Sequence, residues 1–311
     1  MTEPVSVSLY LLNFDAEPVP DLARLIGWTR AADEAGIDRV ILSEHVVLGE
    51  RLENYARPDL GGIRGGQQPT GPDGSWLDPL ATIAYLSAVT SQVRFATRIL
   101  LAALRSPVLL AKTAATIDVL SGGRLELGVG VGWQREEYEA TGRDFARRGR
   151  RLDRNLAICQ ALWTNDRVDY ADAEIRLDRI HQMPKPKQSG GVPIWVSGTV
   201  NGGAMDRLAR FGAGWIPWGD DAADVSGGIA RMRAAMAQRQ RDPESVLVTT
   251  AFEPVLSGDG TVDRDATAAR AAHLRSAGVT DFLVGFPRTE DLAGLAGKLR
   301  AIAEAVRGET P

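Results

Sequence analysis

Along this chain two hydrophobic periods take turns. Apolar residues recur at period two over residues 5–14, 39–45, 93–101, 124–132, 193–197, 214–218, 246–254 and 280–286, the signature of strands. Between these runs the spacing lengthens to three and four. That spacing predicts helices over 21–35, 79–90, 136–141, 148–163, 204–211, 225–240, 264–276 and 290–307. One more helix opens at Ser106–Pro107 and stops at Gly122–Gly123, since proline suits a first helical turn and glycine ends one. Eight strands, each followed by helix, favour one closed (β/α)8 TIM barrel of the α/β class over two doubly wound domains. The chain 1–311 is therefore read as a single domain. Two stretches break the rhythm. Residues 48–76, after the second strand, are rich in Gly, Pro, Gln and Arg and too long for an ordinary connection, so they read as a lid or a disordered connector. Residues 165–191, before the fifth strand, predict a short hairpin followed by a proline-rich loop.

The fourth strand carries the most specific local pattern. Leu125, Leu127, Val129 and Val131 share one face, while Arg124, Glu126, Gly128, Gly130 and Gly132 share the other. Glycine weakens a strand and fills no space, so a row of three on one face marks close approach by a ligand or by another backbone. The expectation is open space for a ligand, with tight packing as the competing reading. The spacing is wrong for a G-x-G-x-x-G dinucleotide fingerprint, whose last glycine would fall on Trp133, and no phosphate loop ending in Gly-Lys-Ser/Thr occurs.

Composition narrows the class without deciding the chemistry. At 44% hydrophobic and 24% charged residues the chain suits a soluble globular protein, and no apolar run approaches the roughly 20 residues of a membrane span. A net charge of −4 without a basic block argues against a nucleic-acid partner. The N-terminal residues show no basic export signal, and a single cysteine excludes an intrachain disulfide, which together point to the cytoplasm. Cys159 lies within a helical apolar pattern and reads as a core thiol.

In a barrel of this kind chemistry sits where strands end. Those ends hold Ser43, Glu44 and His45; Thr97, Arg98 and Ile99; Val131, Gly132 and Trp133; Ser197, Gly198 and Thr199; Trp215 and Trp218; Glu253; and Phe286 to Arg288. Such a set suits a flat aromatic ligand with a polar tail. His45, His181 and His273 share no ligand spacing, so no metal site is expected, and Asp220–Asp221 read as a helix N-terminal pair. His45 is the histidine at a strand end, beside Glu44, and imidazole exchanges protons readily near neutral pH, which makes it the candidate catalytic residue. His181 and His273 read as incidental.

The run LLAKTAATIDVLSGGRLELGVGVGW, the Ser-Glu-His at the second strand end and the Val-Pro-Ile-Trp-Val-Ser-Gly strand closely resemble the bacterial luciferase-like flavin and deazaflavin oxidoreductase superfamily. Within it the chain looks most like the single-component branch that uses coenzyme F420. The resemblance implies a barrel, usually a homodimer, that binds an isoalloxazine-like ring at its C-terminal mouth. It also implies a non-proline cis peptide in a bulge behind the ring, falling at or near Arg98–Ile99. Carried over residue by residue, Glu44, His45, Val131 and Gly132 would contact the ring and its side chain, with Gly130 on the same face. Ser197, Gly198 and Thr199, just before a helix, would hold the cofactor phosphate. Trp133, Trp215 and Trp218 would wall the substrate. The chain departs from family patterns at Val46, where many members have a second histidine, and at Trp133, where sugar-phosphate dehydrogenases of the branch carry glutamate. The implied activity is hydride transfer between coenzyme F420 and a small organic substrate. The alternatives are an FMN-dependent monooxygenase fed by a separate reductase, and a cofactor-binding protein without turnover. A deazaflavin has carbon where flavin has N5 and does not form the oxygen adduct that monooxygenation requires, so the first two differ in chemistry more than in sequence.

Overall fold

The structure is a computed structural model that describes residues 5–17 and 21–309. Eight parallel strands form one sheet: β1 (Ser6–Tyr10), β2 (Arg39–Leu42), β3 (Arg94–Thr97), β4 (Leu127–Val129), β5 (Ile194–Gly198), β6 (Gly212–Pro217), β7 (Leu247–Ala251) and β8 (Asp281–Val284). Their order, β3-β2-β1-β8-β7-β6-β5-β4, runs without interruption. Parallel bridges from Phe95 to Leu125 and from Leu100 to Val129 join the two ends, so the sheet closes into the (β/α)8 barrel expected from the sequence. No helix among the described residues is long and apolar enough to cross a membrane.

Alternation along the strands sorts the two sides of the barrel. Val7, Leu9, Val40, Leu42, Phe95, Leu127, Val196, Val248 and Val284 are buried in one continuous core with the surrounding helices. Each such side chain contributes roughly 1.5–3 kcal/mol on burial. Cys159 belongs to this core, where burial pushes its thiol up to about 12, so it is the inert thiol expected. The opposite faces of the strands fill the barrel. Its lower end is polar and self-satisfied: Glu126 binds Arg39 (2.9 Å), Arg94 (2.5 Å) and the Trp195 indole N–H (2.7 Å), and Asp281 binds Arg39 (3.2 Å) and the Ser8 hydroxyl (2.7 Å). Buried carboxylates persist only with such partners. Above them sits a small apolar layer of Ile41, Ala96, Leu283 and Tyr10.

The first strand stops sooner than its hydrophobic pattern suggests, because Asn13 takes over the ladder. Its side-chain amide donates to the carbonyls of Ser43 and Leu77, both at 2.8 Å, and its carbonyl accepts the Ser43 N–H at 3.0 Å. Phe14–Asp15 then pairs with Ser75–Trp76 at the end of the first long insertion. In the second insertion, Val168–Ala171 and Arg176–Ile180 form the expected hairpin, ahead of the loop with Pro184 and Pro186.

Candidate active site

The Arg98–Ile99 peptide is cis, at the position the resemblance implied, and marks the point where β3 leaves the sheet. Two neighbours hold this bulge. The Ser43 hydroxyl donates to the Arg98 carbonyl (2.9 Å), and Glu44 accepts the Leu101 N–H (2.5 Å) while its other oxygen pairs with Arg105 (2.6 Å). Glu44 is buried, and that burial raises its pKa against the pull of Arg105. Although adjacent to His45 in sequence, Glu44 is thus turned beneath the bulge and does not pair with the imidazole.

The glycine face is not open. A Cβ on Gly128 would stand 1.9 Å from the Thr97 carbonyl oxygen, one on Gly130 2.3 Å from Ile99 Cδ1, and one on Gly132 2.7 Å from a Leu101 methyl. The three glycines make room for β3 and its bulge, which lie against β4 where the barrel closes. Gly130 is itself buried, which corrects the expectation of ligand space there. Gly132 has φ +67°, and both it and Val131 are partly exposed at the rim.

His45 finds its carboxylate elsewhere. Its Nδ1 lies 3.2 Å from Oε1 of Glu137, an almost fully buried side chain on the helix Arg135–Ala140, and the same oxygen accepts the Val46 N–H at 2.8 Å. Oε1 already accepts the Val46 N–H, and as an acceptor facing Nδ1 it favours the tautomer with the proton on that nitrogen, which leaves Nε2 available. Trp76 meets the imidazole edge-on at 4.7 Å between centroids and Trp133 at 6.0 Å. His45 shares a cleft with Trp76, Leu104, Arg105 and Thr141. Glu137 was not among the candidates read from the sequence. The available signal was its place beside Tyr138 and one turn before Thr141 on the buried face of a short helix, where an acid needs a partner.

Aromatic contacts link this histidine to the barrel mouth. Tyr55, from the first insertion, lies 5.4 Å from Trp133 and 6.2 Å from Trp218, and burial raises its hydroxyl to about 12. The same insertion is folded across the mouth and tied down there: the Trp218 indole donates to the Gly61 carbonyl (3.0 Å), Arg148 to that of Leu60 (3.2 Å) and Gly49 N–H to Gln134 (2.9 Å). It is a cover with two short 3-10 turns, Leu52–Ala56 and Pro58–Leu60. Trp215 does not join this wall. It is completely buried and its indole donates to the Gly198 carbonyl at 3.0 Å, which corrects its assignment to the substrate side. Along β6 and the residue that follows it the inward positions are 214, 216 and 218, so the alternation itself separates Trp218 from Trp215.

Tyr10, Ser43, Arg98, Ser197 and Trp218 are partly exposed around the mouth, and Ala251 and Gly285 are exposed. Ser197 and Gly198 end β5, and Thr199 leads on to the helix Gly202–Phe211, whose N-cap Asn201 satisfies the Ala204 N–H. A Cβ on Gly202 would meet nothing within 4 Å, so the first turn of this helix is open to an anion. Asp220 and Asp221 open the next short helix as expected, and Asp221 also binds Arg231 (2.7 Å) and the Val200 N–H (2.7 Å). His181 and His273 are exposed and remote from these groups.

Comparison with known proteins gives the same picture. The model of the luciferase-like monooxygenase family matches residues 7–309. An uncharacterized protein of Mycobacterium tuberculosis is 30% identical over 308 residues, covering 94% of this chain and 97% of the relative. The F420-dependent hydroxymycolic acid dehydrogenase of the same organism is 27% identical over 255 residues, 81% of this chain and 62% of its own. Among solved structures, the EDTA monooxygenase of Chelativorans sp. BNC1 superposes with a TM-score of 0.74 at 14% identity, covering 99% of this chain and 95% of that one.

Proposed function

Because the chain belongs to the luciferase-like monooxygenase family, whose members are oxidoreductases, we propose that it uses coenzyme F420 to exchange a hydride with a small organic substrate. The observation that carries this reading is the Glu137-anchored His45, a proton carrier with one free ring nitrogen beside an aromatic-lined mouth. The preference for F420 over FMN rests on the similarity to a dehydrogenase named for that cofactor.

The residues present fit such a group. Partly exposed Val131, Gly132 and the bulge at Arg98–Ile99 offer a flat rim, and the open first turn at Gly202 with Ser197, Gly198 and Thr199 offers donors to a phosphate. Bound there, the cofactor would supply the two-electron chemistry. The chain supplies the rest. His45 holds or accepts a proton at Nε2, Glu137 fixes its tautomer, and the cover at 48–76 with Trp133, Tyr55 and Trp218 keeps water away. The homodimer belongs to the same reading, supported by Tyr85, Leu109 and Leu120, which are 54%, 68% and 68% exposed on two successive helices. A monomer mass by light scattering would remove it.

Titration of the purified protein with each cofactor, read by fluorescence, tests the central claim. Coenzyme F420 should bind at least about tenfold tighter than FMN, a difference of roughly 1.4 kcal/mol. Equal or reversed affinities would favour the FMN-dependent monooxygenase instead.

A further inference from the structure

Three arginines point into the barrel, and two of them are neutralised. Arg39 pairs with Glu126 and Asp281, and Arg94 with Glu126. Arg98 has no carboxylate within 4 Å among the described residues, so the barrel interior keeps one positive charge beyond its two acids. Its single hydrogen bond runs from a guanidinium N–H to the Thr249 hydroxyl at 3.4 Å. Thr249 lies on β7, four strands from β3 in a closed ring of eight, so the Arg98 side chain extends across the barrel axis at the floor of the mouth. Nearby hydroxyls do not take its place as a partner. The Ser43 hydroxyl already serves the Arg98 carbonyl, and the Tyr10 hydroxyl, 2.6 Å away, is left to donate to Ser43. Burial pulls the Arg98 pKa below its ordinary value against the pull of the more distant Asp281, yet a guanidinium stays protonated, so the charge persists without a carboxylate in direct contact.

A partly desolvated cation with no ion-pair partner in contact destabilises a fold. Its position at the floor of a partly exposed mouth gives it a use. We propose that Arg98 is the anion-recognition residue of this mouth and that its ligand presents a planar, delocalised oxyanion to the guanidinium fork. The inference rests on the mouth being the ligand site, and it narrows the substrate class of the proposed reaction. The oxyanion has two possible sources: a carboxylate on the substrate, or the ring edge of the reduced cofactor. A guanidinium binds either through paired N–H donors, whereas an ammonium offers only a point charge.

The test uses benzoate and its neutral counterpart benzamide, titrated into the full-length protein and followed by tryptophan emission. Benzoate should bind about tenfold or more tighter than benzamide, Arg98→Met should erase that preference, and Arg98→Lys should keep part of it. In a second arm, oxidised and reduced coenzyme F420 are titrated into the wild type and Arg98→Met. Selective weakening of the reduced form, without a benzoate preference, assigns the oxyanion to the cofactor. Thermal unfolding keeps the test independent of ligand choice. Arg98→Met should melt a few degrees above the wild type, because it removes a charge without a partner. Absence of any benzoate preference together with equal effects on both cofactor forms overturns the proposal, and a lowered transition makes Arg98 a structural group. The benzoate arm needs no cofactor, so a failure of F420 to bind would count against the proposed function and not against this residue.

Discussion

Turnover should fall by about 10² to 10⁴ when His45 is replaced by alanine, the usual contribution of a positioned acid or base, while cofactor affinity changes far less. Reduction of a polarised bond leaves charge that a proton must neutralise. His45 shares a cleft with Trp76, Leu104 and Thr141 and meets Glu137 through Nδ1, so Nε2 is the nitrogen proposed for that exchange. His45→Gln should behave like alanine if proton transfer is the role, and recover much of the rate if a hydrogen bond suffices. Glu137 supplies the check on mechanism. Its carboxylate acts through His45, so Glu137→Gln should lower turnover on its own but add little in a His45→Ala background. Full additivity would place Glu137 in the scaffold alone, and near-wild-type turnover in both His45 variants would remove the residue from the chemistry.

That couple also shows what could be read from the chain and what could not. Periodicity located eight strands and the hairpin of the second insertion, because both are local patterns that burial enforces. It also placed Leu125 to Gly132 on the right two faces, whereas Arg124, ahead of the strand, lies over Phe95 in the outer core and not beside Glu126. The contents of the glycine face were not legible, since Ile99 and Leu101 reach it from the bulge of another strand. Glu44 looked like the partner of His45 because they are neighbours in sequence. In the fold the bulge claims Glu44, and a helix 92 residues away supplies the acid. Trp215 and Trp218 are three positions apart, an odd offset that puts them on opposite faces of a strand. Applied strictly, the same alternation would have sent Trp215 to the outer core. Arg98 was read only as part of the bulge, because the absence of a carboxylate in contact with it among the described residues is a property of the closed ring and not of any segment.

Gly128→Ala should cost the fold about 3 kcal/mol or more, the upper range for overpacking, and depress soluble yield. Its Cβ would lie 1.9 Å from the Thr97 carbonyl oxygen and 3.0 Å from Ile216 Cδ1. The first of these is backbone, and it cannot move alone. The Gly128 carbonyl accepts from the Leu100 N–H (2.7 Å) and from the Thr97 hydroxyl (2.8 Å), so the two strands are fastened at the seam where the barrel closes. Displacing Thr97 would pull on those bonds and on the bulge that follows. Gly130→Ala provides the control. Its Cβ would meet the end of the Ile99 side chain at 2.3 Å, and an isoleucine terminus can rotate where a carbonyl cannot. Denaturant unfolding should therefore rank Gly128→Ala well below Gly130→Ala, with the latter close to the wild type. Equal stability of the two variants would mean that β4 shifts as a unit, and that the glycines are not set by the closeness of β3.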